Sequence, residues 1–399
     1  MGVRLIKTKI FFLFLLLTLI LTSGCWSKKE VEELAIVSAI GIDREEINGK
    51  PKWRMTFQIF SPQASSTEGA QGSQSGKVWT VPSVGETLDD ARMNLNTRTP
   101  RVIFAAHATS IVIGEETART TNLTEIVDYL LRHKEFRLRN WLLVTKGTAF
   151  NMLAVKPELE QNVAAAELDN IIKKTSQRIS KATVMNVKEV AEAVASPGQD
   201  VITGLIETEK SNLDSKDEQR QKIRLHGASI FSKDRMVGVF SDTETRGYLY
   251  IMGKAQQTSL PLTLGQSETP NVSISMINSK SKITPYFKDQ QLSFKVDIYA
   301  ESDLIEIQKF EHVTPELLEL LEHKAAQLIK KEAEQALAKA QELSADIFGL
   351  GSIVYHKEPK YWKEIKDNWR DYFINLPVEI NVKVDIRRTG MITHPILTR

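Results

Sequence analysis

Thr314 to Ala345 reads TPELLELLEHKAAQLIKKEAEQALAKAQELSA. Thr314 offers a side-chain oxygen for an N-cap. Pro315 suits the first helical position, where its missing N–H has no partner to lose, and Glu316 and Glu319 favour the positive end of a helix dipole. Leu317, Leu321, Leu328, Ala336 and Leu343 then recur at helical spacing, which predicts one long helix with a single apolar stripe. The flanking stretches have another period. Val272–Ile277, Leu292–Ala300 and Val378–Ile386 alternate apolar with polar residues, as antiparallel strands with one face in water do. The stripe is expected to pack on that sheet. Alanine at several stripe positions and beside them makes a coiled-coil seam the weaker reading. The fold class is therefore α+β, with a C-terminal antiparallel sheet packed against a long helix.

Working outward, Tyr361, Trp362, Ile365 and Trp369 mark a second amphipathic helix, and Gly247–Met252 is helical. Leu225–Phe231 and Met236–Phe240 flank Ser232-Lys233-Asp234-Arg235 as a hairpin. Glu207 to Arg224 (ETEKSNLDSKDEQRQKIR) is dense in charge and reads as an exposed connector and an internal boundary, or as a solvated helix face. Upstream the order is mixed. Glu30–Ile42 begins helical and ends as an apolar run. Asn48-Gly49 is a hairpin turn before a half-buried strand with Trp53, Met55, Phe57 and Ile59 on one face. Pro62–Gly76 (PQASSTEGAQGSQSG) has no large apolar residue and is a long loop, either a binding loop or a tolerated insertion. Structure resumes at Val78-Trp79. Helices are predicted at Thr87–Thr97, at Asn122–His133 with Ile126, Tyr129, Leu130 and Leu131 on or near its buried side, at Asn162–Ala182 and at Asn186–Ala195. Ser196-Pro197-Gly198 stops the last of these. Strands are predicted at Ala105–Ile113, ending at Gly114, and at Leu142–Val144. The expected organisation is a leader at 1–24, an N-terminal α+β domain at 25–200, a charged connector or small middle domain at 201–224, and a C-terminal α+β domain at 225–399. No period of 20–50 residues repeats.

The 399 residues carry 52 basic and 50 acidic side chains, a net charge of +2 that argues against a nucleic-acid partner. The single cysteine, Cys25, rules out an intrachain disulfide or a cysteine-based zinc site. Arg4, Lys7 and Lys9 precede the apolar run Ile10–Leu21, which falls short of the ~20 residues of a membrane span and fits a signal peptide. Thr22-Ser23-Gly24-Cys25 resembles the bacterial lipobox. It departs from that pattern at Thr22, where an apolar residue is usual. The resemblance implies cleavage before Cys25 and lipid attachment to its thiol, which would hold a water-exposed body at a membrane. An uncleaved signal anchor is the other reading.

Nothing in the chain argues for catalysis. His107, His133, His226, His312, His323, His356 and His394 form no HExxH or i,i+4 pair. GxSxG, GxGxxG and GxxxxGK[ST] are missing, and neither a metal nor a cofactor is expected. Glu167 and Asp169 read as solvated on a helix surface. Glu244-Thr245-Arg246-Gly247 is either a structural turn, with Glu244 and Thr245 capping a helix while Arg246 reaches a carboxylate, or a contact with another subunit through Glu244, Arg246 and Gly247.

In order along the chain, Gly24-Cys25-Trp26, Leu34-Ala35-Ile36-Val37, Gly41-Ile42-Asp43, His107, Ile113-Gly114-Glu115-Glu116, Asp128, Arg132, Glu135–Arg139, Gly227–Phe231, Val237-Gly238, Glu244–Gly247, Asp346–Gly351 and Trp362 resemble the Ger(x)C family of spore-germination lipoproteins. Ser27 departs from that pattern, which has Asp there. The resemblance implies a non-enzymatic, lipid-anchored subunit of a nutrient germinant receptor, on the outer leaflet of the spore's inner membrane beside two integral membrane subunits. It also implies a multi-domain α+β fold. It carries no catalytic residue, and it leaves open whether this subunit touches the small-molecule germinant. A solute-binding lipoprotein of a transporter and a lipid-anchored envelope hydrolase are the alternatives. The first predicts two lobes of alternating βα units, which the antiparallel pattern after residue 225 opposes.

Overall fold

The structure is a computed structural model that describes residues 9–11, 34–61, 77–157, 164–178, 180–210, 220–265, 269–288, 291–308 and 313–388. The 62–76 loop and Cys25 lie outside them.

β1 (Leu34–Ile47) and β2 (Lys50–Ser61) make the hairpin that Asn48-Gly49 predicts. Both turn residues have positive φ, 55° and 73°, as a two-residue turn matched to strand twist requires. Of Glu30–Ile42, expected to begin helical, residues 30–33 lie outside the described residues, and the described residues from Leu34 onward are strand. This segment is central in its sheet, so its branched residues pack on both faces, and Val37, Ile40 and Ile42 are fully buried. The chain continues as β3 (Lys77–Gly85), α1 (Leu88–Leu95), β4 (Val102–Phe104), β5 (Ser110–Gly114), α2 (Glu115–Thr120), α3 (Leu123–Arg132), β6 (Trp141–Thr145), α4 (Ala149–Ala154), β7 (Lys156–Pro157), α5 (Ala164–Arg178), β8 (Met185–Asn186), α6 (Val187–Ala195), β9 (Ile202–Lys210), β10 (Arg220–Ser232) and β11 (Arg235–Phe240). The main sheet runs β11-β10-β9-β6-β5-β1-β2-β3, parallel through β9, β6, β5 and β1 and antiparallel toward both edges. Helices cover both faces of the parallel centre, so β1, β5 and β6 carry near-continuous apolar runs.

Three expectations change here. The strand expected over Ala105–Ile113 is confined to Ser110–Gly114, because the chain first adds β4 beside β1 and then makes a 3₁₀ turn at Ala105–His107. Leu131 is exposed, since α3 buries Leu123, Ile126, Val127 and Leu130. In its described parts Glu207–Arg224 is paired strand. β9 and β10 are antiparallel neighbours from Ile202↔Ile230 to Lys210↔Gln221, with Ile206, Ile223 and Leu225 buried between outward charges. Helical spacing is absent from this stretch because the pattern is an outward-facing charge on alternate strand residues. The predicted β10–β11 hairpin therefore completes the main sheet.

The second layer is α7 (Asp242–Ile251), β12 (Gln256–Leu262), β13 (Val272–Lys288), β14 (Gln291–Ile307), α8 (Pro315–Glu342), α9 (Leu350–Lys357), α10 (Pro359–Ile365), α11 (Trp369–Ile374) and β15 (Val378–Arg388). Its sheet runs β12-β13-β14-β15 and is antiparallel up to β14, but β15 lies parallel to β14. Alternation gives burial of one face, not strand direction. The long α8 crossover returns the chain to the end where β14 began, and that sets the last pairing. Thr314 accepts a hydrogen bond from Leu317 N at 3.3 Å, and Leu321, Ala325, Ile329, Ala333, Ala336 and Ala340 are buried along α8. The Tyr361–Trp369 helix is broken by a 3₁₀ turn at Lys366–Asn368 into α10 and α11, with Trp362, Ile365, Trp369 and Phe373 buried. Ile202, Ala228, Ile230 and Phe240 of the main sheet belong to the same core as the second sheet and its helices. No helix among the described residues is long and apolar enough to cross a membrane.

α7 begins with a capping box. Ser241 Oγ accepts from Glu244 N at 3.3 Å, and the Glu244 carboxylate accepts from Ser241 N at 2.7 Å. The cap is thus Ser241, with Thr245 buried inside the helix. Ser241→Ala is expected to cost about 1 kcal/mol, measurable as a lower urea midpoint at unchanged m-value.

Candidate functional site at the junction of the two sheets

Two aspartates tie the layers together. The turn after α8 places Ser344 and Gly349 at φ 52° and 69°, which folds the chain back and buries Asp346 between them. Its carboxylate accepts from Leu350 N (3.0 Å), Gly351 N (2.8 Å) and Trp369 Nε1 (3.1 Å). It thereby caps α9 and holds α11. Asp200, on the segment leading into β9, accepts from Asp346 N (2.8 Å), from Lys233 N in the β10–β11 turn (2.8 Å) and from Arg370 Nη2 (3.1 Å). Arg370 Nη1 donates to Ser344 O at 3.0 Å and to Ser232 Oγ. A Cβ on Gly198 would stand 2.7 Å from Gly351 Cα and 2.6 Å from the Trp362 ring, so the two glycines let the backbones touch. Gly198 also has φ 63°, where side chains are disfavoured.

A cavity of about 400 Å³ opens at this junction, lined among others by Gln199, Lys233, Trp362, Lys366 and Arg370. Burial pushes Asp346 up to about 7, against the N–H donors of Gly351 and Leu350, with the nearby Asp200 charge adding to the rise. Every carboxylate oxygen of Asp200 and Asp346 accepts from N–H donors. The arrangement is that of a latch between layers, without a nucleophile paired to a base.

Within Glu244–Gly247, Arg246 and Gly247 face α8. Arg246 Nε donates to Glu332 Oε2 at 2.6 Å and Nη2 to Oε1, a two-pronged pair between α7 and α8 with side-chain exposures of 15% and 4%. A Cβ on Gly247 would lie 2.1 Å from Glu332 O, so only glycine lets α7 approach α8 this closely. Glu244 serves the cap. These contacts are internal to the chain. Glu167 is buried, because α5 turns Ala164, Ala165, Leu168 and Ile172 onto the main sheet and carries Glu167 in beside them; Asp169 pairs with Lys173 at the surface. His226 Nε2 sits 3.0 Å from Glu207 and His133 beside Asp89 at 4.0 Å. Among the described residues no three potential ligands cluster to hold a metal. His312 and His394 lie outside them.

Sequence reasoning did not single out Asp200 or Asp346 as chemistry, nor Asp43. Asp43 is buried and accepts from Ala149 N (2.8 Å) and Phe150 N (3.0 Å), capping α4; burial raises its pKa against those two bonds. A Cβ on Gly114 would sit 2.2 Å from Asp43 Oδ1. Gly41-Ile42-Asp43 and Ile113-Gly114 are therefore two halves of one contact. Gly227, at φ 58° and with its Cβ position 2.0 Å from Phe240 O, is another forced close approach. An aspartate directly after an apolar strand run was the available signal for Asp43. No local pattern announces Asp200, whose partners lie 33 to 170 residues away.

Comparison with known proteins agrees with this architecture. Residues 27–208 match the family described as spore germination protein N-terminal domain, and residues 226–390 match spore germination B3/GerAC like, C-terminal. Over 96% of both chains the protein is 25% identical to spore germination protein KC of Bacillus subtilis (strain 168). It is 23% identical to spore germination protein B3 of the same organism, covering 97% of this chain and 99% of the relative. A crystal structure of the GerBC protein superposes with a TM-score of 0.53 at 20% identity, covering 90% of this chain and 99% of that one. The fold is that of a GerC-type germination protein. The chain belongs to the Ger(x)C family of spore germination proteins.

Proposed function

We propose that this protein is the lipid-anchored, non-enzymatic subunit of a spore nutrient germinant receptor. In this reading Cys25 carries the lipid on the outer face of the spore's inner membrane, and two integral membrane subunits are its partners. The observation that carries the reading is the match to germination proteins over almost the whole chain after Cys25, behind a lipobox-like Thr22-Ser23-Gly24-Cys25. Tethering raises the effective concentration of the body near its partners, so modest contacts suffice for assembly. The latched layers suit a scaffold that transmits a signal as one body. The saturated hydrogen bonding of Asp200 and Asp346 supports a structural use of these carboxylates.

Cys25→Ala is expected to abolish labelling by radioactive palmitate and to release the protein from spore membranes, because no later segment among the described residues offers a membrane span. Retained labelling would place the lipid elsewhere. Deletion of the gene in a sporulating host should slow the response to at least one nutrient; spores that answer every cue normally, with no paralogue covering the loss, would sink the receptor assignment. Tight calorimetric binding of one small solute by the chain would favour the transporter alternative.

A further inference from the structure

The body's orientation on the membrane follows from where the chain enters the fold. β1 starts at Leu34, nine residues after Cys25, a stretch that spans at most about 30 Å even when extended. β4 and β5 run parallel to β1, with Leu34↔Val102 and Ala39↔Ser110, and β6 runs parallel to β5, with Ser110↔Trp141. All four strands therefore begin at one end of the main sheet. The loop feeding β6 presents Lys134, Arg137, Leu138 and Arg139, all exposed, with Leu138 at 45%. Val102 at the start of β4 and Trp79 near the start of β3 are 47% and 48% exposed at the same end. Glu135 is half-buried in that loop, and Glu189 and Glu192 on the adjoining α6 are engaged by the Asn186 backbone and by Lys188. Lys134, Arg137 and Arg139 make no ion pair among the described residues.

We infer that this end of the main sheet rests on an anionic lipid surface, with Lys134, Arg137 and Arg139 facing the phosphates and Val102, Leu138 and Trp79 entering the interface. The inference rests on the anchor proposed at Cys25. Cationic residues around exposed apolar side chains are the pattern an anionic interface recognises, and each cation there strengthens association about fivefold. A short tether also leaves this end the nearest part of the body to the bilayer.

The test uses the lipid-modified full-length product reconstituted in vesicles. Leu138→Cys supplies one free thiol, since the lipid occupies Cys25, and takes an environment-sensitive fluorophore. Ile305→Cys on the second sheet, where Ile305 is 66% exposed, serves as the comparison. In vesicles containing phosphatidylglycerol the label at 138 should shift to the blue and be quenched by spin-labelled lipid, while the label at 305 stays in water. In pure phosphatidylcholine, or with Lys134→Gln/Arg137→Gln/Arg139→Gln, the shift at 138 should be lost although the protein still floats with the vesicles. A floating protein whose label at 138 stays in water, or whose two labels respond alike, overturns the inference alone. Failure to float overturns the anchor and this inference together.

Discussion

Arg246→Ala is expected to lower the unfolding free energy by about 3–5 kcal/mol. Glu332 is 3% exposed, and Arg246 is its charge partner across α7 and α8. Removing the guanidinium leaves the buried Glu332 carboxylate beside Tyr250 without its charge partner and without the two hydrogen bonds Arg246 donates. The pairing holds the Arg246 pKa above its ordinary value, through the hydrogen bond with Glu332 first. Arg246→Leu together with Glu332→Leu should recover much of the loss, because no charge then remains to be buried without a partner. Urea unfolding of the two singles and the double forms a cycle that isolates the coupling. The result also separates two uses of Arg246. An arginine kept for a neighbouring subunit would leave the stability of the isolated chain almost unchanged when removed, so a cost below about 1 kcal/mol, the range of a surface pair, would favour that use.

Stability is expected to fall as pH rises from about 4 to about 7, by up to about 4 kcal/mol, through Asp346. The sign follows from the direction of the shift. Burial raises the Asp346 pKa to about 7 in the folded chain, while in the unfolded chain it titrates near its ordinary 3.8. Between those values the native state holds a proton that the unfolded state releases. The contribution is complete below the unfolded value and is lost as pH passes the folded one. Asp43 shifts in the same direction, whereas Asp128, Asp385 and Glu316 shift down at exposed sites. The difference made by Asp346→Asn therefore isolates the latch. This substitution should cost some stability at every pH, since an amide cannot satisfy all the N–H donors around it, but the slope between pH 4 and 7 should flatten. A variant with the parent's slope would show that Asp346 stays ionised beneath its three donors.

Much of the architecture was legible one stretch at a time. Asn48-Gly49 announced its hairpin because positive φ at both positions is nearly a property of those residues alone. Thr314-Pro315 and the alternation of Leu292–Ala300 announced α8 and β14, because capping and burial of one face are local periodicities. The family set was legible too, but its physical meaning was not. Gly114 acquires its reason only from an Asp43 carboxylate that stands on the next strand of the sheet.

By itself the sequence determined the Asn48-Gly49 hairpin, the long α8 and the one-sided strands of the second sheet, that the class is α+β, and that Cys25 is the one thiol available to a lipid. Tertiary structure decided the rest. It set the parallel partner of β15, drew the described ends of the charged stretch, 207–210 and 220–224, into the main sheet, turned Glu167 inward and joined Asp200 to Asp346 and Arg370. The physical reason is range. Backbone preference and one-sided burial are written within a few residues, whereas strand direction, ion pairs and glycine contacts depend on which distant segment arrives at the other side.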